Sequence, residues 1–360
     1  MAVQQRTLEF VCSLQVPNVG HFAYSYKRDG PAILYASCYA ALTFHLCGKL
    51  QTISSAQRRE WATYIQSFQS TDGLFRDPRI SCEMAETCDW WGWRHLTVHA
   101  LMALSALESR TLHGFEMLDR FRVPGFIQSW LESRNWVEDT CGVSNEVQNV
   151  GTLMQYARDF LGQPEWDTVL VEMYDWLDQR QDVDTGLWGA RFDTPRELSL
   201  GIQSAYHFWM LYFYDRRPVK HSSTALDSCL RSQTSLGGFG YLCNTSACED
   251  IDSIDSLVRL AASGNHSNTS AALLKTLPWV LAHQNHDGGW VFRRHEKLAY
   301  GHTLMTSAPD ESALFPTWFR LLSIALLSKG LPGHPISQVG WKFLETPGHQ
   351  FWDGRPSLQA

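Results

Sequence analysis

The 360-residue sequence has no CxxC pair among its nine cysteines, no basic cluster longer than Arg293-Arg294-His295, and no apolar run of a membrane span's length. Such a span needs roughly 18 residues. An odd cysteine count with no regular framework points to reduced, buried thiols rather than a disulfide scaffold. Thirty Lys and Arg against 37 Asp and Glu leave a formal net charge of −7. No electrostatic footprint for a phosphate backbone results, and nucleic acid is excluded as a partner. The run from Met1 to Thr7 lacks the apolar core of a secretory signal, so the expectation is a cytoplasmic protein. The Asn-x-Ser/Thr sites at Asn244, Asn265 and Asn268 carry no weight there. The GxSxG elbow and the GxxxxGK[ST] loop are missing, which removes the standard serine-hydrolase and nucleotide-binding motifs.

Aromatic residues are abundant, with 15 Trp among them. Each ring buries about 150–250 Å², so their number implies a large aromatic core or a ring-lined cavity. A short pattern recurs along the chain: a Gln, a few residues, a Gly, then a ring. Its fullest copy is Gln284-Asn285-His286-Asp287-Gly288-Gly289-Trp290. Others run from Gln69 to Gly73-Leu74-Phe75, Gln181 to Gly186-Leu187-Trp188, Gln233 to Gly237-Gly238-Phe239, and Gln15 to Gly20-His21-Phe22. A spacing of about 50–60 residues is that of a repeat architecture. Mechanically, each copy reads as a helix end, a glycine turn and a ring that packs back to pin it.

After each turn a helix-period segment begins, near Leu34, Trp91, Glu146, Ser199, Asp252 and Glu311. Second helices follow over Gln57–Gln69, Phe115–Glu132, Trp166–Gln179, Ser222–Arg231 and Ser270–Gln284. The segment between Leu107 and Glu146 has only Gln128 and Trp136 in place of the motif. Residues 1–14 are expected to pair with a helix over 336–344 and close a ring. Six helical hairpins without a competing strand pattern predict an all-α, single-domain (α/α)6 toroid over 1–360.

The run Gln284-x-x-Asp287-Gly288-Gly289-Trp290 resembles the QW motif of squalene and oxidosqualene cyclases. The six-hairpin layout resembles one toroidal domain of the terpenoid cyclase and protein prenyltransferase β-subunit superfamily. In such toroids the inner helices surround a cavity, and their first turns meet its mouth.

The fifth inner helix carries Cys248-Glu249-Asp250-Ile251-Asp252-Ser253-Ile254-Asp255, with Arg259 beyond. Asp252, Asp255 and Arg259 share a face opposite the apolar stripe. Two readings stand side by side. Asp250 caps the helix and Asp255 pairs with Arg259; or carboxyls crowded at an apolar cavity have raised pKa values and one serves as a general acid. Class II terpene cyclases look similar here: their DxDD motif falls on Asp250, with the proton donor at Asp252 and Asp255 nearby. The fourth position is Ser253, with Glu249 and Asp255 available to supply the charge. A single toroid is shorter than the two-domain cyclases, so the resemblance implies a second domain or subunit closing the pocket. Prenyltransferase β-subunits bind zinc through Asp-x-Cys and a later His. Here the order is Cys248-x-Asp250 and the sixth inner helix has no His, so no metal site is expected.

The second inner helix opens with Trp90, Trp91, Trp93, Arg94 and His95, followed by His99. The rings can stabilise a carbocation, stack on a sugar, or plug the core. His95 and His99 at i, i+4 can bind a metal, or sit satisfied in the core. Tyr35, Glu146, Asn149, His207 and Glu311 lie near the other inner-helix starts and complete the candidate substrate-binding set. Three functions follow. The first is acid-initiated cyclisation or isomerisation of an isoprenoid, with Mg²⁺ if the substrate is a diphosphate held by Arg94, Arg259, Arg293 or Arg294. The second is a glycan lyase or glycosidase, and the third a non-catalytic ligand-binding toroid. A closed apolar pocket with one buried acid favours the first, and an open groove of Trp and exposed acids the second.

Overall fold

The computed structural model describes residues 2–81, 91–189, 191–263 and 267–355. Among these, twelve α-helices follow one another: α1 (Ala2–Ser13), α2 (Leu34–Leu46), α3 (Ser55–Gln66), α4 (Trp93–Ala106), α5 (Phe126–Glu132) and α6 (Thr140–Phe160) in the first half. The second half holds α7 (Trp166–Asp178), α8 (Pro195–Tyr214), α9 (Ser222–Arg231), α10 (Ala247–Leu260), α11 (Ser267–Leu281) and α12 (Leu314–Gly330). Even-numbered helices form a closed inner ring in which each touches the next and α12 returns to α2. Odd-numbered helices lie outside: α1 on α12 and α2, α3 on α2 and α4, α7 on α6, α9 on α8 and α10, α11 on α10 and α12. The architecture is therefore the all-α (α/α)6 toroid that the repeats predict.

Burial follows the layering. Every residue of α2 except His45 is buried, as expected of a helix packed on all sides, whereas α9 buries only Ala225, Leu226, Ser228 and Cys229 along one stripe. Caps set the starts. Ser246 and Glu249 form a capping box that begins α10 five residues before the expected Asp252, and Asp139 accepts the Gly142 N–H to begin α6 before Glu146. Pro316 falls in the first turn of α12, where its missing N–H costs nothing.

Four of the five recurring turns share one geometry; in the first, Gln15 donates to the His21 carbonyl instead of the glycine's and Phe22 is only partly buried. The carboxamides of Gln69, Gln181, Gln233 and Gln284 donate to the carbonyls of Gly73, Gly186, Gly237 and Gly288 at 2.9, 2.7, 3.2 and 3.0 Å. Phe75, Trp188, Phe239 and Trp290 pack back fully buried. Gly288 (φ +89°) lies so close to α1 that a Cβ would stand 2.1 Å from the Arg6 carbonyl oxygen. Trp290 Nε1 and Gln284 Nε2 donate to Thr7 Oγ1 at 3.0 and 3.2 Å, so the last turn docks on the first helix and the ring closes.

Three local expectations differ from the structure. The helix expected over 115–132 is a 3₁₀ segment (Glu116–Arg122) and α5, broken at Pro124-Gly125 where Gly125 has φ +74°. The helix expected over 336–344 is a single 3₁₀ turn, Pro335–Gln338. Beyond it the backbone bonds across the ring instead, Lys342 N–H to the Leu46 carbonyl and Leu344 N–H to Gln350. A small antiparallel hairpin, β1 (Leu298–Tyr300) and β2 (His302–Ser307), appears where no strand is expected.

Residues 341–355 run across the end of the ring where the inner helices finish. Gln350 bridges Trp318 Nε1 (2.7 Å) and the Leu42 carbonyl (3.1 Å), and Arg259 donates to the carbonyls of Phe351 (2.7 Å) and Trp352 (3.1 Å). No helix among the described residues is long and apolar enough to cross a membrane.

Candidate active site

A cavity of ≈ 150 Å³ lies inside the ring. Helix α10 contributes Asp252 and Cys248, α4 His95 and His99, and α8 Tyr206 and His207. Cys141 and Asn145 of α6, Gln203 of α8, Tyr300 of β1 and His349 of the C-terminal tail also line it, with Phe319 of α12 as its purely apolar ring. The hairpin and the tail thus each bring one side chain into the ring.

The early start of α10 separates its acids. Asp250 and Asp252, two positions apart, point to opposite sides. Asp250 faces outward: Oδ1 accepts the Phe239 N–H and Thr245 hydroxyl, both at 2.8 Å, while Oδ2 accepts Trp279 Nε1 at 3.0 Å and pairs with Arg320. Every lone-pair direction is used. Asp250 is thus a structural ion-pair partner, and the geometry does not bring it into the cavity. Asp255 binds Arg259 at 2.6 Å through Oδ1, while its buried Oδ2 has no partner. Glu249, 3% exposed, pairs with Arg293 at 2.6 Å.

Asp252 differs from these three. It is 3% exposed, lines the cavity, and its carboxyl has no hydrogen-bond partner among the described residues. Burial pushes its pKa well above the usual carboxylate range, and Glu249, Asp255 and Asp250 add to the shift in the same direction. A carboxyl so placed keeps its proton.

The imidazoles are shifted the other way. Burial lowers His99 to about 4 and His207 to about 3, and holds His95 and His349 well below their ordinary range. His95 is positioned on both nitrogens, Nδ1 to the Tyr35 hydroxyl (2.7 Å) and Nε2 to the Tyr300 hydroxyl (3.3 Å). His99 and His207 use Nδ1 on the His95 carbonyl (2.8 Å) and the Ser144 hydroxyl (3.0 Å). No group of three His, Cys, Asp or Glu among the described residues is arranged to hold a metal.

Of the expected substrate-binding residues, the cavity gathers His95 and His207 beside Asp252. Tyr35 stands directly behind His95. Trp91 is fully buried, stacked between Tyr35 (5.8 Å) and His302 (6.3 Å), and works as core packing rather than lining. Trp93, Arg94 and Asn149 do not line the cavity either. Glu146 forms a two-pronged bond with Arg134 at 3.1 Å, and Glu311 pairs with Lys27 at 2.9 Å on the outside. Trp90 lies outside the described residues. The lining rings that sequence reasoning missed are Tyr206, Tyr300, Phe319 and His349. Tyr206 and Phe319 sit on inner helices at positions that periodicity marks only as buried. His349 arrives on a non-helical tail, for which the sequence carried no signal.

No protein-family model matches the chain, and no curated protein matches it in sequence. Among solved structures, the chain is similar to the type II terpene cyclase MstE from Scytonema in complex with merosterolic acid A. That pair shares 12% identity over 92% of this chain and 96% of the other, with a TM-score of 0.48. It is also similar to a polysaccharide lyase (12% identity, 91% and 97% covered, TM-score 0.49) and to the GH76 α-mannanase BT2949 from Bacteroides thetaiotaomicron (12%, 91% and 94%, 0.48). These values separate no one chemistry from another.

Proposed function

We propose that the protein is an enzyme that protonates an isoprenoid alkene, with Asp252 as the acid, and so starts a cyclisation or double-bond isomerisation. The observation that carries this reading is one buried carboxyl, free of hydrogen bonds to the described residues and kept protonated, facing a ring-lined cavity inside the toroid. The Asp252 O–H bond breaks as a C–H bond forms at one alkene carbon, and positive charge develops at the other. Phe319, Tyr206 and Tyr300 offer ring faces to that charge, which is stabilising where water is excluded. Neutral imidazoles at His99, His207 and His349 do not repel the cation, and can accept the proton that leaves when the new double bond forms.

The glycan reading needs a pair of free acids beside exposed rings in an open groove. The acids of the open groove next to Trp188 include Asp139 and Glu197, and both are engaged as helix caps, while Trp188 itself is 1% exposed. A purely binding toroid would have no use for a protonated carboxyl without partners.

Asp252→Asn tests the proposal. Incubated with linear polyenes, their alcohols and their diphosphates, with and without Mg²⁺, the unaltered protein is expected to yield a cyclised or isomerised product by mass spectrometry. The variant should lose about 10²- to 10⁴-fold of that turnover, the contribution typical of a general acid. Product formation that survives the substitution would remove Asp252 as the donor.

A further inference from the structure

The cavity holding Asp252 is about half the roughly 300 Å³ at which pockets for drug-sized ligands begin. It accommodates the reacting end of an isoprenoid and not the whole chain. The remainder has to lie elsewhere, and the structure offers an adjoining groove for it.

An open groove of ≈ 530 Å³ runs between the first turns of α6 and α8. Cys141 lines both the groove and the cavity. The two share one seam: Leu200, Gly201 and Ser204 of α8 face the groove, and Gln203, Tyr206 and His207 of the same helix face the cavity. Outward, Val137, Trp188 and Gly189 carry the groove on into a second hollow of ≈ 410 Å³ beside Trp136 and Trp176. Cys141 is thus the wall residue common to the cavity that holds Asp252 and a trough of mixed apolar and polar wall.

The charge of that trough is informative. Among the described lining residues of its two hollows, Glu132, Glu138, Asp139 and Glu197 oppose two guanidiniums, Arg180 and Arg191. Among the described residues, the cavity lining contains no Arg or Lys. Of the four arginines expected to hold a diphosphate, Arg94 is not among the described lining of the cavity or of either hollow, and the other three are spent elsewhere: Arg259 on Asp255 and two tail carbonyls, Arg293 on Glu249 and Glu296, Arg294 on Asp310 and the carbonyls of Ala282 and Gln284. A diphosphate arriving at this mouth meets net negative charge and no cluster of donors to replace its water.

We propose that the α6–α8 groove binds the non-reacting end of the substrate, and that this end is uncharged, so the site takes a neutral isoprenoid in preference to its diphosphate. This rests on Asp252 being the acid, and it adds the substrate class and the place where the rest of the chain lies.

The test measures equilibrium binding to Asp252→Asn protein, which traps substrate without turnover. Quenching of tryptophan fluorescence reports geranylgeraniol, geranylgeranyl diphosphate with and without Mg²⁺, and the short alcohol geraniol. Geranylgeraniol is expected to bind at least tenfold more tightly than the diphosphate in both conditions. Val137 is 70% exposed and lines both hollows. Val137→Trp, which fills the groove, should weaken geranylgeraniol at least fivefold and leave geraniol within twofold. Glu138→Lys should narrow the gap to the diphosphate. A diphosphate bound as tightly as the alcohol, unchanged geranylgeraniol affinity in Val137→Trp, or binding of none of the three overturns the proposal. Turnover separates the two readings. Asp252-dependent product from a chain that Val137→Trp does not affect leaves the acid standing and removes the groove. Groove-dependent binding with no turnover by unaltered protein does the reverse.

Discussion

At the scale of single residues, neighbouring carboxyls on one helix have opposite fates because of where they point. Asp250 is fully bonded to Thr245, Trp279, Arg320 and a backbone N–H, whereas Asp252 has burial and like charges around it and no donor. Asp250→Asn would leave the Arg320 guanidinium buried and uncompensated. We expect it to cost about 3–5 kcal/mol, as breaking one side of a buried pair does, read by urea unfolding, while Asp252→Asn lowers stability little. The same shifts predict two pH effects of definite sign. Activity that needs protonated Asp252 should be full at low pH and fall as pH rises through its elevated pKa. For stability, His99 and His207 bind protons in the unfolded chain below about 6.5 but in the folded one only near 4 and 3. The contribution of these two imidazoles to stability should therefore decline as pH falls from about 6.5 toward 4, while Asp252, its folded-state pKa raised, opposes them over the same window. Relative to the unaltered protein, urea midpoints should fall less across that window in His99→Gln, and an unchanged slope would remove His99 from the explanation.

At the scale of elements, the recurring turn is a staple between repeats. Its glutamine ties the turn's own carbonyl to the neighbouring outer element, as Gln233 does with Gly237, Ala272 and Thr276. Its glycine permits the close approach. Gly288→Ala should be strongly destabilising, because positive φ is disfavoured for alanine and the new Cβ would meet α1 backbone at 2.1 Å. Gly125→Ala provides the control: its φ is +74° but nothing lies within 4 Å, so only the conformational cost of about 1 kcal/mol applies. Urea unfolding of the two variants side by side checks this, and equal losses would mean that docking on α1 contributes nothing. These turns were legible in the sequence because they are local: glutamine, glycine and ring lie within a few residues. Helix starts at Thr140 and Ala247 were less so, since a cap at Asp139 or Ser246 is overshadowed by the longer apolar pattern that follows it.

For the whole molecule, closure comes from both chain ends. Helix α1 receives the last turn, and the tail beyond Gly340 spans the opposite side of the ring and carries His349 to the cavity. Gln350, fully buried between Trp318 and the Leu42 carbonyl, is the tail's anchor in the core. Gln350→Ala should cost about 1–3 kcal/mol by leaving the Trp318 N–H unsatisfied. Hydrogen exchange should then rise first in residues 341–355. Protection unchanged throughout the tail would show that it is held by Arg259 and Arg355 instead.

The amino-acid sequence by itself determined the toroid, because its repeats encode turns and helix faces through contacts only a few positions long. It also placed Asp252 and Asp255 on one face, since i, i+3 spacing is a property of one helix, while only the resemblance to the DxDD motif singled out Asp252. Only the tertiary structure decided which acid faces inward, that Trp91 is core, and that Tyr300 and His349 line the cavity. Those outcomes depend on packing between segments far apart in the chain, where burial and the direction of each side chain are set by neighbours that no local pattern names.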